Sequence, residues 1–342
     1  MSMSERSQEE IIQFWDDCPC MVSIVCTTYN HERYLRQALT SFLAQKTTFS
    51  FEIIVHDDAS TDETTEIIKA FSLRYPELVK TILQDENQYS KGGFKPSIYA
   101  AKFSGSKYIA LCEGDDYWLD DDKLQIQIDA LENHPEVDFS FHGAYLSRDS
   151  VLSDKSPWRY GETRIIPLET LLQLKTGSFA PTSSYVFRRT LVEKLPDWFF
   201  REAPIGDFFV ERYGALRGGA LYFKKSMSVY RELTPQSWSR RVQENDEAFR
   251  SYIEGMIRSL FLMDKDFSAH SGVMRQVKAK MYIRYAMNEL YSNRYNHFKQ
   301  LVIESVEQYN YVSRKQWLAY RLRRYPRIFM WLLGSKRMID RL

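Results

Sequence analysis

Three groups of acidic residues follow apolar or turn-forming segments of this 342-residue chain. They are the pair Asp57-Asp58, the run Glu113-Gly114-Asp115-Asp116, and the single Asp207 of Pro-Ile-Gly-Asp. Like charges repel and raise each other's pKa, so a folded protein gains little stability by gathering carboxylates. Hard divalent cations such as Mg²⁺ or Mn²⁺ prefer oxygen ligands and are typically held by one or two carboxylates plus substrate phosphates. The clusters therefore predict a site for a cation or a substrate.

The segments before these clusters indicate the elements that position them. Residues 22–27, 51–55 and 108–112 are apolar, β-branched runs of strand type, and segments with apolar residues at helical spacing follow them. Strands that alternate with helices predict an α/β fold with a Rossmann-like, mostly parallel central sheet. Ligands of such sheets bind outside the carboxyl ends of the strands, where the first two clusters lie.

The pattern changes along the second half of the chain. After about residue 137 the strand signals become irregular, and from about residue 236 they vanish. Segments 242–265, 272–294 and 296–309 then carry apolar residues at helical intervals. The predicted domains are an N-terminal extension (1–20), an α/β domain (21–235) and an all-helical C-terminal region (236–342).

Charge is distributed unevenly between the body and the tail. The formal net charge is +1, but residues 311–342 hold nine Lys or Arg against one Asp, so this basic tail carries +8 and the rest −7. An acidic body argues against a nucleic-acid-binding protein. No apolar run approaches the roughly 18 residues of a membrane-spanning helix, and the N-terminus has no signal-peptide pattern. With only four cysteines and no disulfide framework, we expect a cytoplasmic protein.

Structural roles are the alternative for the first acidic pair. Aspartate is favoured at helix N-termini and in turns, so Asp57 and Asp58 could cap a helix or shape a loop. Ser60 followed by Glu63 has the pattern of a capping box, however, and explains the helix start without an adjacent Asp pair. A carboxylate at this end of a strand can instead accept the N3–H of a uracil.

The other two groups also have structural alternatives. Residues 113–116 could form a solvated acidic turn, as we expect for residues 120–122 just beyond them. Asp207 could serve as the N-cap of the helix that follows it. A capping carboxylate is already oriented, so the two roles of Asp207 are compatible.

Four motifs of the chain resemble those of the family 2 glycosyltransferases, whose nucleotide-sugar-binding fold is called GT-A. The motifs are VSIVCTTYN (22–30), FEIIVHDDASTD (51–62), YIALCEGDDYW (108–118) followed by DKL, and IGD (205–207). They match in type, order and spacing, and the resemblance covers roughly residues 20–232. It implies inverting transfer of a sugar, usually from a UDP-sugar, with a divalent cation (Mn²⁺ or Mg²⁺) on the diphosphate.

The resemblance also implies a role for each matched residue. Thr27, Tyr29, Asp57, Asp58, Glu113, Asp116 and Arg231 are implied to bind the nucleotide sugar, Asp115 to hold the metal, and Asp207 to be the catalytic base. Within this set, Asp58 would meet the uracil and Glu113 the ribose. Glu113 stands where the family usually has the first Asp of its DXD motif, so this motif is only DXD-like.

One departure from the family pattern concerns the metal. Related sequences commonly follow the last strand with Tyr-Arg-x-His, whose His can complete the metal site, whereas this chain has Leu233 at that place. Either Glu232 or water substitutes for the His, or the metal depends on the diphosphate.

The basic tail combines an apolar stripe with arginines. Its apolar residues recur at helical spacing from Leu318 to Leu332, with Trp317 and Trp331 at the edges and Pro326 as a kink. A basic amphipathic helix of this kind suits the headgroup region of an anionic membrane, which would make the protein peripheral on the inner face. The alternative is a helix that packs on the body or on a partner subunit.

The sequence therefore predicts a metal-dependent hexosyl- or N-acetylhexosaminyltransferase. The acceptor would be a saccharide, or a lipid-linked saccharide of surface polysaccharide or glycan synthesis. A nucleotidyltransferase shares the nucleotide-binding half of the fold, but it would normally have a Gly-rich, basic loop in place of Thr27-Thr28-Tyr29-Asn30. A catalytically silent, membrane-associated scaffold of the same fold is the other alternative, which Asp115 and Asp207 argue against.

Overall fold

The structure is a computed structural model that describes residues 6–16, 19–148, 151–174, 177–232, 234 and 238–334. The chain divides into two compact units. The first comprises the described residues of 1–168 and 177–240, and the second those of 169–176 and 241–342.

A ten-stranded sheet forms the centre of the first unit. Its strands are β1 (Val22–Thr28), β2 (Phe51–Asp57), β3 (Val79–Leu83), β4 (Tyr108–Leu111), β5 (Tyr117–Trp118), β6 (Phe139–Arg148), β7 (Val151–Ser153), β8 (Arg164–Ile166), β9 (Val186–Arg188) and β10 (Ala220–Arg231). They lie in the order β3-β2-β1-β4-β9-β6-β10-β5, with β7 beside β6 and β8 beside β10.

Most of the main strands run in one direction. Strands β3, β2, β1 and β4 are parallel neighbours, and β6 and β10 pair in parallel further along the sheet. The short β9 is antiparallel to both β4 and β6, so these two strands point the same way. The predicted α/β fold with a mostly parallel central sheet is therefore confirmed, and the carboxyl ends of β1, β2, β4 and β10 meet at one edge.

Helices alternate with the strands of the first unit and fill the second. They are α1 (Gln8–Ile12), α2 (Leu35–Leu43), α3 (Thr64–Arg74), α4 (Pro96–Ala101), α5 (Lys123–Asn133), α6 (Leu168–Leu174), α7 (Thr190–Lys194), α8 (Asp197–Arg201), α9 (Asp207–Gly214), α10 (Trp238–Glu244), α11 (Asp246–Leu262), α12 (Ser271–Tyr291), α13 (Tyr295–Gln308), α14 (Arg314–Leu322) and α15 (Pro326–Gly334). None of the helices in the described ranges is long and apolar enough to cross a membrane.

The core of the first unit explains why the strands sit where they do. Helix α2 buries Leu35, Leu39 and Phe42 against the sheet, because these side chains recur on one helical face. Strand β2 is buried along its whole length, as expected for a parallel strand covered on both faces. Burial of this kind fixes the strand ends, and with them the acidic groups.

Two local predictions are corrected by the structure. Ser60 does not cap α3, because its hydroxyl bonds to Asp57 and the helix begins only at Thr64, after Glu63. In the tail, Pro326 does not kink one helix but begins a second. Proline has no N–H to donate and suits the first turn of a helix, so α14 ends at Leu322 and α15 starts at Pro326.

Candidate active site

Backbone hydrogen bonds tie two acidic groups to the end of β1. The Asp58 N–H donates to the Thr28 carbonyl at 3.1 Å, and the Gly114 N–H donates to the Thr27 carbonyl at 2.8 Å. Gly114 is required for this close approach, since a Cβ there would lie 3.0 Å from the Thr28 Cβ. The loops after β2 and β4 are thus held side by side at the carboxyl edge of the sheet.

A cavity of about 410 Å³ opens above this edge. Most of the predicted site residues line it, namely Thr27, Tyr29, Asp58, Glu113, Asp115, Asp207 and Arg231. Its volume lies within the range of about 300–1,000 Å³ common for small-molecule sites. The structure therefore brings together residues that are up to 204 positions apart in the chain, from Thr27 to Arg231.

The two members of the first acidic pair have different surroundings. Asp58 lines the cavity, and its carboxylate accepts the backbone N–H groups of Gln88 and Tyr89 at 2.9 and 3.0 Å. Asp57 is not among the lining residues; its carboxylate accepts hydrogen bonds from Ser60 and from Thr65 Oγ1. Asp57 thus holds the loop and the start of α3, and Asp58 shapes the wall of the cavity.

Asp116 and Arg231 connect the acidic loop to β10 and α2. Asp116 is buried outside the cavity lining and accepts the Arg231 N–H at 2.8 Å. The Arg231 guanidinium donates to the Asp115 carbonyl and, at 2.6 Å, to Gln37 of α2. It also lies over the Tyr117 ring, 4.7 Å from its centroid. The end of β10 is thereby fastened to both the loop and α2.

Glu113 and Asp115 both line the cavity, and together they form its acidic floor. Desolvation by the surrounding protein raises the pKa of Glu113 to about 8, and repulsion from Asp115 and Asp207 adds to that effect. Burial likewise raises the pKa of Asp116 well above its usual range, again with a contribution from Asp115. A positive charge brought to this floor would favour the ionised form of these carboxyl groups.

Asp115 faces a histidine and a threonine. Its Oδ2 atom accepts the Thr234 hydroxyl at 2.9 Å and lies 4.0 Å from His31 Nε2. His31 is next to the Thr-Thr-Tyr-Asn motif and also lines the cavity. Among the residues that the structure describes, no group of three or more His, Cys, Asp or Glu side chains is arranged to hold a metal ion. Asp115 and His31 are therefore a pair of possible metal ligands, not a group of three. Leu233 lies outside the described residues.

Asp207 is the first residue of α9, and it is not the N-cap. Gly206 occupies the N-cap position, so the capping alternative for the Asp207 side chain is wrong. Its Oδ2 atom instead accepts the Ser178 hydroxyl at 2.7 Å, and both residues line the cavity. The carboxylate is only partly buried, which leaves it accessible to a ligand in the cavity.

Glu211, one turn after Asp207, holds the segment that carries Ser178. Its buried carboxylate accepts the N–H groups of Phe179 and Ala180, both at 2.9 Å, and the Tyr185 hydroxyl at 2.5 Å. Arg212 beside it is also fully buried and donates to Glu211 at 3.2 Å. This network places Ser178 against Asp207 through the backbone.

Sequence reasoning missed five residues of this site: His31, Lys95, Ser178 and Thr234, which line the cavity, and Glu211, which supports it. A signal existed for Glu211, because Glu-Arg stands beside Phe208-Phe209-Val210 in a short helix, where a buried ion pair is the expected arrangement. His31 carried a weaker signal, its place directly after a motif. Nothing in the local sequence distinguishes Ser178 or Lys95 from other loop residues.

Comparisons with known proteins identify the family of this chain. The model of the family described as glycosyl transferase family 2 matches residues 23–195. An uncharacterised protein of Mycobacterium bovis is 35% identical over 246 residues, which is 71% of this chain and 67% of that protein. The Escherichia coli UDP-Glc:alpha-D-GlcNAc-diphosphoundecaprenol beta-1,3-glucosyltransferase WfaP is 33% identical over 39% of this chain and 49% of its own length.

A solved structure extends the similarity to the fold. The crystal structure of S. aureus TarS 1–349 in complex with UDP-GlcNAc aligns with a TM-score of 0.62, covering 90% of this chain and 88% of that one at 16% identity. Identity this low shows the GT-A fold alone. Together with the family match over half of the chain, it leads to one conclusion: the chain belongs to glycosyl transferase family 2 and is a glycosyltransferase.

Proposed function

We propose that this enzyme transfers a hexose or N-acetylhexosamine from a UDP-sugar to a hydroxyl group of a lipid-linked saccharide, with inversion at the anomeric carbon. The observation that carries the proposal is the cavity in which Asp207 faces the acidic floor formed by Glu113 and Asp115. A base and a charge-compensating group are the two elements that direct displacement at an anomeric carbon requires.

Asp207 serves as the general base in this proposal. It removes the proton from the acceptor hydroxyl as that oxygen attacks the anomeric carbon and the bond to the nucleoside diphosphate breaks. A positioned base contributes about 10²–10⁴-fold to the rate. The Ser178 hydroxyl fixes one carboxylate oxygen at 2.7 Å, which leaves the other oxygen for the acceptor.

Residues at the strand ends bind the donor. Asp58 accepts the N3–H of uracil, with Thr27 and Tyr29 around the base and Glu113 on the ribose; all four line the same cavity. Arg231, Asp57 and Asp116 support the donor site by holding its loops, as their hydrogen bonds to Asp115, Ser60 and the β10 backbone indicate.

Asp115 and His31 fit a divalent cation that completes its shell with diphosphate oxygens and water. One or two carboxylates plus phosphates is a common arrangement for Mg²⁺, and oxygen ligands also suit Mn²⁺; the His31 imidazole would add a nitrogen ligand to this set. When bound, the cation would compensate the negative charge of the leaving diphosphate. Thr234 orients the Asp115 carboxylate for this role.

The metal assignment has a direct test. Asp115→Asn and His31→Asn should each weaken Mn²⁺ binding to the UDP-saturated protein, measured by the electron paramagnetic resonance signal of free Mn²⁺. The control is Asp121→Asn, since Asp121 is an accessible residue of the loop after β5 and pairs with Lys46. Wild-type Mn²⁺ affinity in the Asp115 variant would contradict the assignment.

The acceptor proposal has separate support. WfaP by its name acts on a diphosphoundecaprenol-linked sugar, and it is a relative of this chain. The exposed aromatic residues and arginines of α14 and α15 would bring the enzyme to an anionic inner membrane surface that carries such acceptors.

The function as a whole is tested with purified protein, Mn²⁺ or Mg²⁺, and a panel of nucleotide sugars. Released nucleotide is measured with and without lipid diphosphate-linked saccharides. We expect UDP to raise the melting temperature, and one UDP-sugar to be turned over when the acceptor is present. Absence of both effects would contradict the proposal, and turnover of a GDP-sugar alone would contradict the donor assignment.

A further inference from the structure

Lys95 is a buried lysine in the wall of the cavity. Only 7% of its surface is exposed, although lysine is almost never buried without a partner. Its Nζ atom donates to the Gly93 carbonyl at 3.1 Å, which satisfies one of its three N–H donors. No carboxylate among the described residues forms an ion pair with it.

The surroundings of Lys95 hold its stem and leave its charge uncompensated. The amine lies 5.9 Å from the centroid of the Phe199 ring, and the Cδ atom would be 3.6 Å from a Cβ built on Gly206. Pro96, which follows Lys95, begins α4 and restricts the backbone. Burial lowers the pKa of Lys95 to about 8, as expected for an ammonium without an anionic neighbour.

The position of Lys95 relates this charge to the reaction. Lys95 lines the same cavity as Asp207, and its stem runs beside Gly206, the residue before Asp207. Of the described residues that line this cavity, Lys95 and Arg231 are the only Lys or Arg. The Arg231 guanidinium already donates to the Asp115 carbonyl and to Gln37, so Lys95 is the cation available to a ligand.

We propose that Lys95 forms a phosphate subsite beside the catalytic base. The inference rests on the proposed function, because it adds a ligand group to the same cavity. A phosphate oxygen would accept the remaining ammonium donors in a charge-assisted hydrogen bond, which is strong in a poorly hydrated site. The phosphate could belong to the donor diphosphate or to a phosphate group of the acceptor, and the experiment distinguishes these two sources.

The test compares Lys95→Met with a matched control. Methionine keeps the unbranched stem without the charge, and Lys95→Arg restores a cation. The control is Lys102→Met, because Lys102 also lies over an aromatic ring, Phe200 at 4.3 Å, but is exposed and does not line the cavity. Thermal unfolding checks that each variant is folded, and Lys95→Gln replaces Lys95→Met should the latter not fold.

Two calorimetric titrations identify the source of the phosphate. If the group belongs to the donor, Lys95→Met weakens UDP binding by about 10- to 100-fold, the worth of a hydrogen bond to a charged group, and leaves uridine binding unchanged. If it belongs to the acceptor, UDP binding is unchanged, and binding of inorganic phosphate to the UDP-saturated protein is lost. In either case Lys95→Arg retains binding and Lys102→Met behaves as wild type.

One result overturns the subsite. Lys95→Met would then match the wild-type protein both in UDP binding and in the binding of inorganic phosphate to the UDP-saturated protein. The proposed function is judged separately, since it requires that the wild-type protein binds UDP at all. Intact UDP binding without any effect of Lys95→Met removes the subsite and leaves the function standing.

Discussion

Asp207 and Glu211 lie one turn apart on α9 in opposite environments. Asp207 is partly exposed to the cavity and accepts one hydrogen bond, from Ser178. Glu211 is fully buried and accepts hydrogen bonds from Phe179, Ala180 and Tyr185 in addition to that from Arg212. A carboxylate that takes a proton from a substrate must be accessible to that substrate. A carboxylate that shapes a loop must instead accept hydrogen bonds from the loop. In the proposed mechanism, the two carboxylates divide these tasks.

Replacing Asp207 should stop catalysis without removing the donor. Asp207→Asn keeps the side-chain shape but cannot take a proton, so we expect the transfer rate to fall by about 10²–10⁴-fold, the usual contribution of a general base. UDP affinity should remain near the wild-type value, because Asp58 and the strand ends are unchanged. Rates are measured by nucleotide release and affinity by calorimetry.

The control for this variant is Asp197→Asn. Asp197 is likewise the first residue of a short helix, α8, but it is exposed and outside the cavity lining. Loss of UDP binding in Asp207→Asn would make Asp207 a donor-site residue, and near-normal turnover would assign the base elsewhere.

At the scale of elements, α9 and the segment 177–182 act as a unit through the buried Glu211–Arg212 pair. Glu211→Gln should lower the free energy of unfolding by about 1–3 kcal/mol, because its amide group replaces one acceptor oxygen and leaves a buried N–H of Phe179 or Ala180 unsatisfied. The measurement is urea-induced unfolding. Glu193→Gln serves as the control, since its pair with Arg189 is exposed and such pairs contribute at most about 1 kcal/mol. Equal, small effects for both variants would contradict a structural role for Glu211.

The strands and their acidic ends could be predicted because their signals are local. Runs of β-branched and apolar residues mark β1, β2 and β4, and the motifs follow at fixed offsets. The antiparallel insertion of the three-residue β9 between β4 and β6 could not be predicted, since it depends on pairing with distant strands. The failed capping box has a similar cause, because the Ser60 hydroxyl finds Asp57 through the shape of the folded loop.

The same distinction holds for the site. Residues that a motif carries could be named from the sequence, and most of them line the cavity. The supporting residues could not, because Ser178 reaches Asp207 only after Glu211 has fixed the intervening backbone, and Lys95 is buried by packing against Phe199. The resemblance implied that both members of the first acidic pair bind the nucleotide sugar, yet only Asp58 lines the cavity.

At the scale of the whole molecule, buried histidine couples stability to pH. Burial and the nearby Lys123 lower the pKa of His142 well below its usual range, so the folded state keeps this side chain neutral. The unfolded chain takes up a proton below about pH 6.5, and stability then falls as the pH decreases. We expect His142→Asn to reduce this slope between pH 6.5 and 5 by up to about 1.4 kcal/mol per pH unit.

Urea unfolding of both proteins across this pH range measures the effect. The matched variant is His134→Asn, because the His134 side chain is 43% exposed and forms a surface pair with Glu136. An unchanged slope in the His142 variant would show that other groups govern the acid response.

The tail combines a packed side and an exposed side. Phe329 of α15 is buried and stacks on Phe298 of α13, whereas Ile328 and Trp331 are 50% and 69% exposed. Ile328→Ala with Trp331→Ala should therefore reduce sedimentation with phosphatidylglycerol vesicles while leaving the fold intact. Leu73→Ala is the control, as Leu73 is 83% exposed on α3. Unchanged vesicle binding would favour a protein partner for this surface.

Arg231 is synthesised after the acidic loop that its hydrogen bonds hold in place. The acidic loop at Asp115 and Asp116 leaves the ribosome long before Arg231, whose backbone bonds to Asp116 across 115 positions. Domains generally fold as units, so the first unit cannot be completed before β10 has been synthesised. The loop then lacks its guanidinium until β10 pairs with β6. A nascent or truncated chain that ends before β10 therefore has the motifs of a glycosyltransferase but lacks the Arg231 hydrogen bonds that hold the acidic loop.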